Sequence, residues 1–253
     1  MTRTMTRTMT RTTAGAAGMR HRDWMAAAAE EYRRLDHLLA GLDADDWRRP
    51  TDCADWDVRQ VVAHLVGAAE FTASVRELLR QTWSGRRLRA GGPLVDGINA
   101  AQVRQRADTP PDRLLRNLSD AGARGVGRRE RLPAFLRAVP LPFGPPVGTK
   151  RLGYLTDRIY TRDAWMHRID IARATDRPLH LTTDHDGRLV ADIVAEWAAV
   201  HRQPFRLALT GPAGGTWSDG VNGEELTVDA VEFCRILAGR AAGAGLLSHA
   251  VPF

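Results

Sequence analysis

The sequence predicts a mainly α-helical α+β chain, a four-helix bundle followed by a small α/β domain. Three observations carry this expectation. Apolar residues recur at helical spacing in successive segments between Arg22 and Thr175. After Pro178 a further helical segment gives way to Phe205-Arg206-Leu207-Ala208-Leu209-Thr210, which alternates with period two, and another helical segment follows. Between them, Pro133, Pro140, Pro142, Pro145 and Pro146 crowd one stretch and exclude a regular helix or central strand there.

Residues 1–18 open on a threefold Met-Thr-Arg-Thr repeat, too polar to bury, and read as a disordered basic tail, with Met19 an alternative start. A bundle domain is expected over 20–178 and the small domain over 187–253. The first helix should run from Arg22 to Leu42, with Trp24, Ala28, Tyr32, Leu35, Leu38 and Leu39 inward. Asp57 with Gln60 forms a capping box that starts the second helix, whose stripe of Val58, Val61, Val62, Leu65 and Val66 continues through Phe71 and Val75 to about Trp83. The third spans Leu94 to about Asp108 and restarts from Pro111 to Leu118. From Gly122 the chain is expected to turn irregular, and the proline-rich stretch to form a surface loop. A fourth helix then covers Lys150 to Thr175. In the second domain a helix (Leu189–Val200), the strand above, a returning Thr216-Trp217-Ser218, a short strand (Glu225–Val228) and a helix (Asp229–Ala241) are expected.

The formal charge of +6 is unevenly placed. Arg3, Arg7, Arg11, Arg20 and Arg22 lie in an opening stretch without acids, so the rest of the chain holds 31 basic and 30 acidic residues. No basic face with interleaved aromatics occurs in that body, which argues against nucleic acid. Cys53 and Cys234 lie far apart with no C-x-x-C pairing, as in a reducing cytoplasm, and no apolar run approaches a membrane span. We therefore expect a cytoplasmic protein with no membrane or nucleic-acid partner, monomer or homodimer. No G-x-S-x-G, Walker loop, H-E-x-x-H or dinucleotide fingerprint is present.

The chemistry concentrates in Thr161-Arg162-Asp163-Ala164-Trp165-Met166-His167-Arg168-Ile169-Asp170. One turn past Ile159, on a face that otherwise reads as core, come Asp163, His167 and Asp170. A carboxylate and an imidazole four residues apart share a helix face and can converge on one ion. The pair is either an ion pair on a wet face or two ligands of a metal. His64, inside the apolar run of the second helix, is either a satisfied core histidine or the third ligand. Two imidazoles and one carboxylate from two helices make a metal site with room left for solvent or substrate.

The stretches Trp47–Cys53 through Trp56–Leu65 and Thr161–Ala174 resemble the metal-binding segments of the mycothiol-dependent maleylpyruvate isomerase family, which has a DinB-like four-helix domain. The resemblance covers most of residues 20–253. It implies that His64 and His167 are metal ligands, and that Asp163 stands where the characterised family member carries a glutamate one methylene longer. Asp170 is then a group that orients an imidazole or the thiol, or else a salt-bridge partner of Arg173 or another arginine. Asn99 is the candidate cofactor-binding residue if it looks into the bundle, and otherwise a cap or a solvent-facing amide. Ala238-Gly239-Arg240 resembles the family's closing Gly-Arg signature, so Arg240 holds a carboxylate of substrate or thiol, or only bonds helix-end carbonyls. The resemblance implies a divalent metal, zinc, and mycothiol as thiol cosubstrate. The expected function is activation of that thiol as a thiolate for addition to an electrophilic small molecule, by isomerisation or S-transfer. The alternative is a catalytically silent metal- or ligand-binding bundle with a regulatory role.

Overall fold

The computed structural model describes residues 10–11, 18–53, 56–144 and 147–253; most of the expected basic tail lies outside them. The chain divides into two compact units, Arg20–Leu179 with Phe253, and His180–Pro252 with the described residues up to Met19. The expected class, mainly α with a small α/β part, is what the structure shows. A two-residue strand, β1 (Thr10–Arg11), pairs into the sheet of the second unit.

In the first unit, α1 (His21–Ala40) and α2 (Val58–Ala73) start near the expected positions. The capping box of α2 is present: Gln60 N donates to Asp57 Oδ1 at 2.7 Å and Asp57 N to Gln60 Oε1 at 2.9 Å. That exchange satisfies two backbone donors and fixes where the helix begins, and hence which face carries His64.

The helix does not run on to Trp83. Ser74 is extended (φ −146, ψ 132) and caps a separate helix, α3 (Val75–Leu88), because a serine hydroxyl can accept from the first turn of a new helix where the old one stops. This break reverses the faces. Gln81 and Gly85 turn inward, while Val75, Leu79 and Trp83 are exposed. α3 pairs with α4 (Leu94–Gln105) at a close crossing: a Cβ on Gly97 would lie 2.1 Å from the Gly85 carbonyl oxygen.

α5 (Pro111–Glu130) continues unbroken where the glycines suggested irregular chain. Those glycines serve approach. A Cβ on Gly122 would lie 2.6 Å from the Tyr32 ring, and one on Gly125 2.6 Å from Thr72 Oγ1. α5 therefore lies tightly against α1 and α2. The proline-rich stretch holds a single helical turn, α6 (Ala134–Arg137), and a two-stranded ribbon, β2 (Pro140–Pro142) with β3 (Thr149–Arg151). Both of its strands are edges, where proline is tolerated.

The fourth bundle helix, α7 (Tyr160–Ala174), is shorter than expected because β3 and a π-helical stretch, Tyr154–Ile159, occupy the residues before it. Asp157 anchors that stretch, facing His21 Nδ1 at 2.9 Å and accepting from Thr156 Oγ1 at 2.9 Å. The bundle is thus a ring in which α1 packs on α5 and α7, and α2 on α5 and α7, with α3 and α4 against α2. A buried pair, Arg168 Nε with Glu31 Oε1, ties α7 to α1.

The second unit holds α8 (Asp186–His201), β4 (Phe205–Thr210), β5 (Gly215–Asp219), β6 (Glu224–Asp229) and α9 (Ala230–Leu237). Strand order is β1-β5-β4-β6, with β4 antiparallel to β5 and parallel to β6. Trp197, Phe205 and Phe233 form its aromatic core. The Thr182–Gly187 turn is closed by the Asp186 carboxylate, which accepts from Thr182 N at 2.7 Å. Among the described residues no helix is long and apolar enough to cross a membrane.

The two readings of glycine in α5 can be separated. Gly125→Ala should destabilise by about 1–3 kcal/mol, since the new methyl meets backbone and side chain of α2. Gly127→Ala, where a Cβ has nothing nearer than Arg131 Nη1 at 3.6 Å, should stabilise by about 0.5–1 kcal/mol as a helix interior residue. Thermal or urea unfolding of the two variants measures both signs, and a neutral Gly125→Ala would contradict the packing account.

Candidate metal centre

His64 comes from the middle of α2; Asp163 and His167 come from successive turns of α7. The carboxylate of Asp163 is shared between the two rings. Its Oδ2 lies 3.3 Å from His64 Nε2 and its Oδ1 lies 3.4 Å from His167 Nε2. One donor atom from each of the three residues falls within 4.8 Å of the others. Donors about 2.0–2.2 Å from a tetrahedral ion stand about 3.3–3.6 Å apart, and each imidazole stands at such a distance from its own oxygen of the Asp163 carboxylate. Both histidines are buried, whereas the Asp163 side chain keeps 21% of its exposure, so the group opens towards solvent on the carboxylate side. The rings meet edge to face with centroids 5.1 Å apart, and Trp56, from the turn before α2, lies over them at 5.0 Å from His64 and 6.1 Å from His167.

The family model described as the mycothiol maleylpyruvate isomerase N-terminal domain matches residues 28–172, a stretch that contains all three donors. The chain belongs to this family. Two uncharacterized proteins of Mycobacterium tuberculosis, from strains CDC 1551 / Oshkosh and H37Rv, are 26% identical over 231 residues, covering 86% of this chain and 85% of theirs. Among solved structures, the mycothiol-dependent maleylpyruvate isomerase matches with a TM-score of 0.60 at 13% identity, over 89% of this chain and 92% of that one. A histidine-to-alanine mutant of that enzyme matches with a TM-score of 0.59, also at 13% identity, over 88% of this chain and 91% of that one. At such identity the likeness is one of fold.

In this member of the family, each donor ring is held from behind. His167 Nδ1 lies 3.0 Å from Asp170 Oδ2, and Asp170 is fully buried. The Asp170 carboxylate thus sits against the His167 imidazole. His64 Nδ1 lies 2.7 Å from Gln102 Oε1. Both rings therefore present Nε2 to Asp163. On α4 it is Gln102, a residue not singled out in the sequence, that reaches the centre; Asn99, one turn earlier, is only half-buried and makes no bond to either histidine. The available signal for Gln102 was its place four residues after Ile98, on the same face of α4. Trp56 stood in the Trp56–Leu65 motif without a role of its own, and Gln81 carried no pattern that marked it.

Arg240 follows α9 in the second unit, after Gly239 at φ +75, and its Nη1 donates to the Ala238 carbonyl at 3.1 Å. That is the helix-end bond given above as its alternative reading. Cys53 is half-buried in the first unit and Cys234 is buried in α9.

Burial opposes charge on Asp163, but the two imidazoles outweigh it and hold the carboxyl well below the usual range. Burial likewise opposes protonation of His167, yet Asp163 first and Asp170 second raise it to about 9. Tyr32, buried beside this cluster, is pushed up to about 12, chiefly by desolvation.

The raised His167 value sets a pH dependence for chelator-stripped protein. Between its ordinary 6.5 and about 9, the folded protein holds a proton that the unfolded chain releases. Stability from this pair is complete below 6.5 and lost as pH rises through about 9. The depressed Asp163 acts at the other end, its contribution fading as pH falls below 3.8. The Tm of wild type in EDTA should therefore fall between pH 6.5 and 9, with a flatter profile in His167→Asn. Parallel profiles would contradict the assignment.

Proposed function

We propose that this chain is a metal-dependent enzyme of the maleylpyruvate isomerase kind, using mycothiol or a similar small thiol against an electrophilic small molecule. The observation that carries the reading is the spacing of His64 Nε2, His167 Nε2 and the Asp163 carboxylate. These three would hold the ion, zinc by donor type, with Asp163 a direct ligand at that spacing. When bound, a divalent cation supplies a Lewis-acid position that keeps a thiol as thiolate near neutral pH.

The chain's own residues do the rest. Asp163 brings the negative charge that two neutral imidazoles lack, and its exposed side is where a thiol enters. Asp170 accepts from His167 Nδ1 and keeps that ring turned inward. Trp56 covers both rings and limits water to the carboxylate side. The thiolate is the nucleophile towards an electron-poor double bond, so neither Cys53 nor Cys234 is required. The name borne by the structural relatives supports mycothiol and isomerisation over S-transfer. The class of electrophile follows from thiolate chemistry.

Two measurements test this together. Protein purified without added metal should contain roughly one divalent ion per chain, lost in His64→Ala and in His167→Ala. Conversion of maleylpyruvate should require mycothiol and fall at least 100-fold in the metal-free variants. Full metal content in His64→Ala, or turnover without thiol, would sink the proposal; tight metal binding with no turnover would favour a silent binding bundle.

A further inference from the structure

Behind His64 runs a chain of buried amides on three helices. Gln81 Nε2 donates to the Gly67 carbonyl oxygen at 3.0 Å. Gln102 Nε2 donates to Gln81 Oε1 at 2.9 Å. Gln102 Oε1 then faces His64 Nδ1 at 2.7 Å. Gln81 is 0% exposed, Gln102 2% and His64 4%. Room for it is made by Gly67, where a Cβ would lie 2.4 Å from Gln102 Cγ.

The chain has only one polarity. A backbone carbonyl oxygen can only accept, so the group of Gln81 next to Gly67 is its NH2. The oxygen of the same amide is then left to accept from Gln102 NH2. That leaves the Gln102 oxygen facing the imidazole, and an amide oxygen cannot donate. Nδ1 must carry the hydrogen. Turning over either amide would set donor against donor or acceptor against acceptor among fully buried groups.

We propose that Gln102 and Gln81 are positioning residues of the metal centre, their amide relay fixing His64 as the Nδ1–H tautomer with its Nε2 lone pair aimed at the ion. This rests on the metal reading above. His167 obtains the same result from one carboxylate three residues along its own helix, whereas His64 obtains it from two uncharged side chains on α4 and α3 anchored to its own helix. The relay therefore adds no further negative charge around the ion. It also makes ligation by α2 depend on the seating of the α3–α4 pair.

Zinc titration against a chromophoric chelator, on wild type, Gln81→Met and Gln102→Met, tests it. Gln81→Met keeps side-chain volume and touches no ligand, yet should weaken zinc binding about tenfold or more by freeing the Gln102 amide to turn over; Gln102→Met should weaken it at least as much. Long-range ¹H–¹⁵N spectra of metal-free Asp163→Ala at alkaline pH, which lacks the carboxylate that competes for a proton at Nε2, read the tautomer directly. Neutral His64 should carry its proton on Nδ1 in that background and shift towards Nε2 when Gln81→Met is added, a change that loss of packing alone would not cause. Wild-type zinc affinity in Gln81→Met, or an Nε2–H tautomer in Asp163→Ala with both glutamines present, overturns the relay. Wild type that binds zinc while the relay fails leaves the metal reading intact, and wild type that binds no zinc overturns both.

Discussion

One carboxylate placed between two imidazoles is the interaction on which this structure depends. Asp163 gives an oxygen to each ring, and the rings belong to different helices, so the contact exists only if α2 and α7 meet in the right rotational phase. Burying these groups is costly unless each is partnered. The surrounding architecture can be understood as what fixes that phase. The Asp57–Gln60 box sets the start of α2, the glycines of α5 let it press on α1 and α2, and the Glu31–Arg168 pair holds α7 against α1.

The two rings are supported differently. Asp170 reaches His167 within one turn of α7, a contact that a helix guarantees by its own geometry. Support for His64 crosses from α2 to α4 to α3 and back to the Gly67 carbonyl. It needs the helix break at Ser74, which turns Gln81 inward, and the close Gly85–Gly97 crossing, which brings α4 down beside α3. A site built this way joins a locally encoded half to one assembled by packing.

Much of the bundle was legible beforehand. The stripes of α1 and α2 and the donor trio His64, Asp163 and His167 could be named from spacing and from polar residues on apolar faces. The misreadings share one cause. Val75 follows Phe71 in helical phase, so a single long helix looked continuous, although Ser74 can serve as an N-cap as readily as a helix interior residue. Gly122 and Gly125 looked like breakers because the benefit that offsets their helix cost is a neighbour's proximity, which no one-dimensional pattern displays.

The sequence by itself determined what is local: where α1 and α2 begin, that Asp163, His167 and Asp170 line one side of a helix, and which residues have donor chemistry. Helical periodicity and capping act over a few residues, so a linear chain records them. Only the tertiary structure decided that His64 comes within 3.3 Å of Asp163, that Gln102 rather than Asn99 stands behind it, and that α5 closes the ring. Those outcomes depend on how closely two helices can approach and on how each buried polar atom finds a partner. Both are settled among residues distant in sequence.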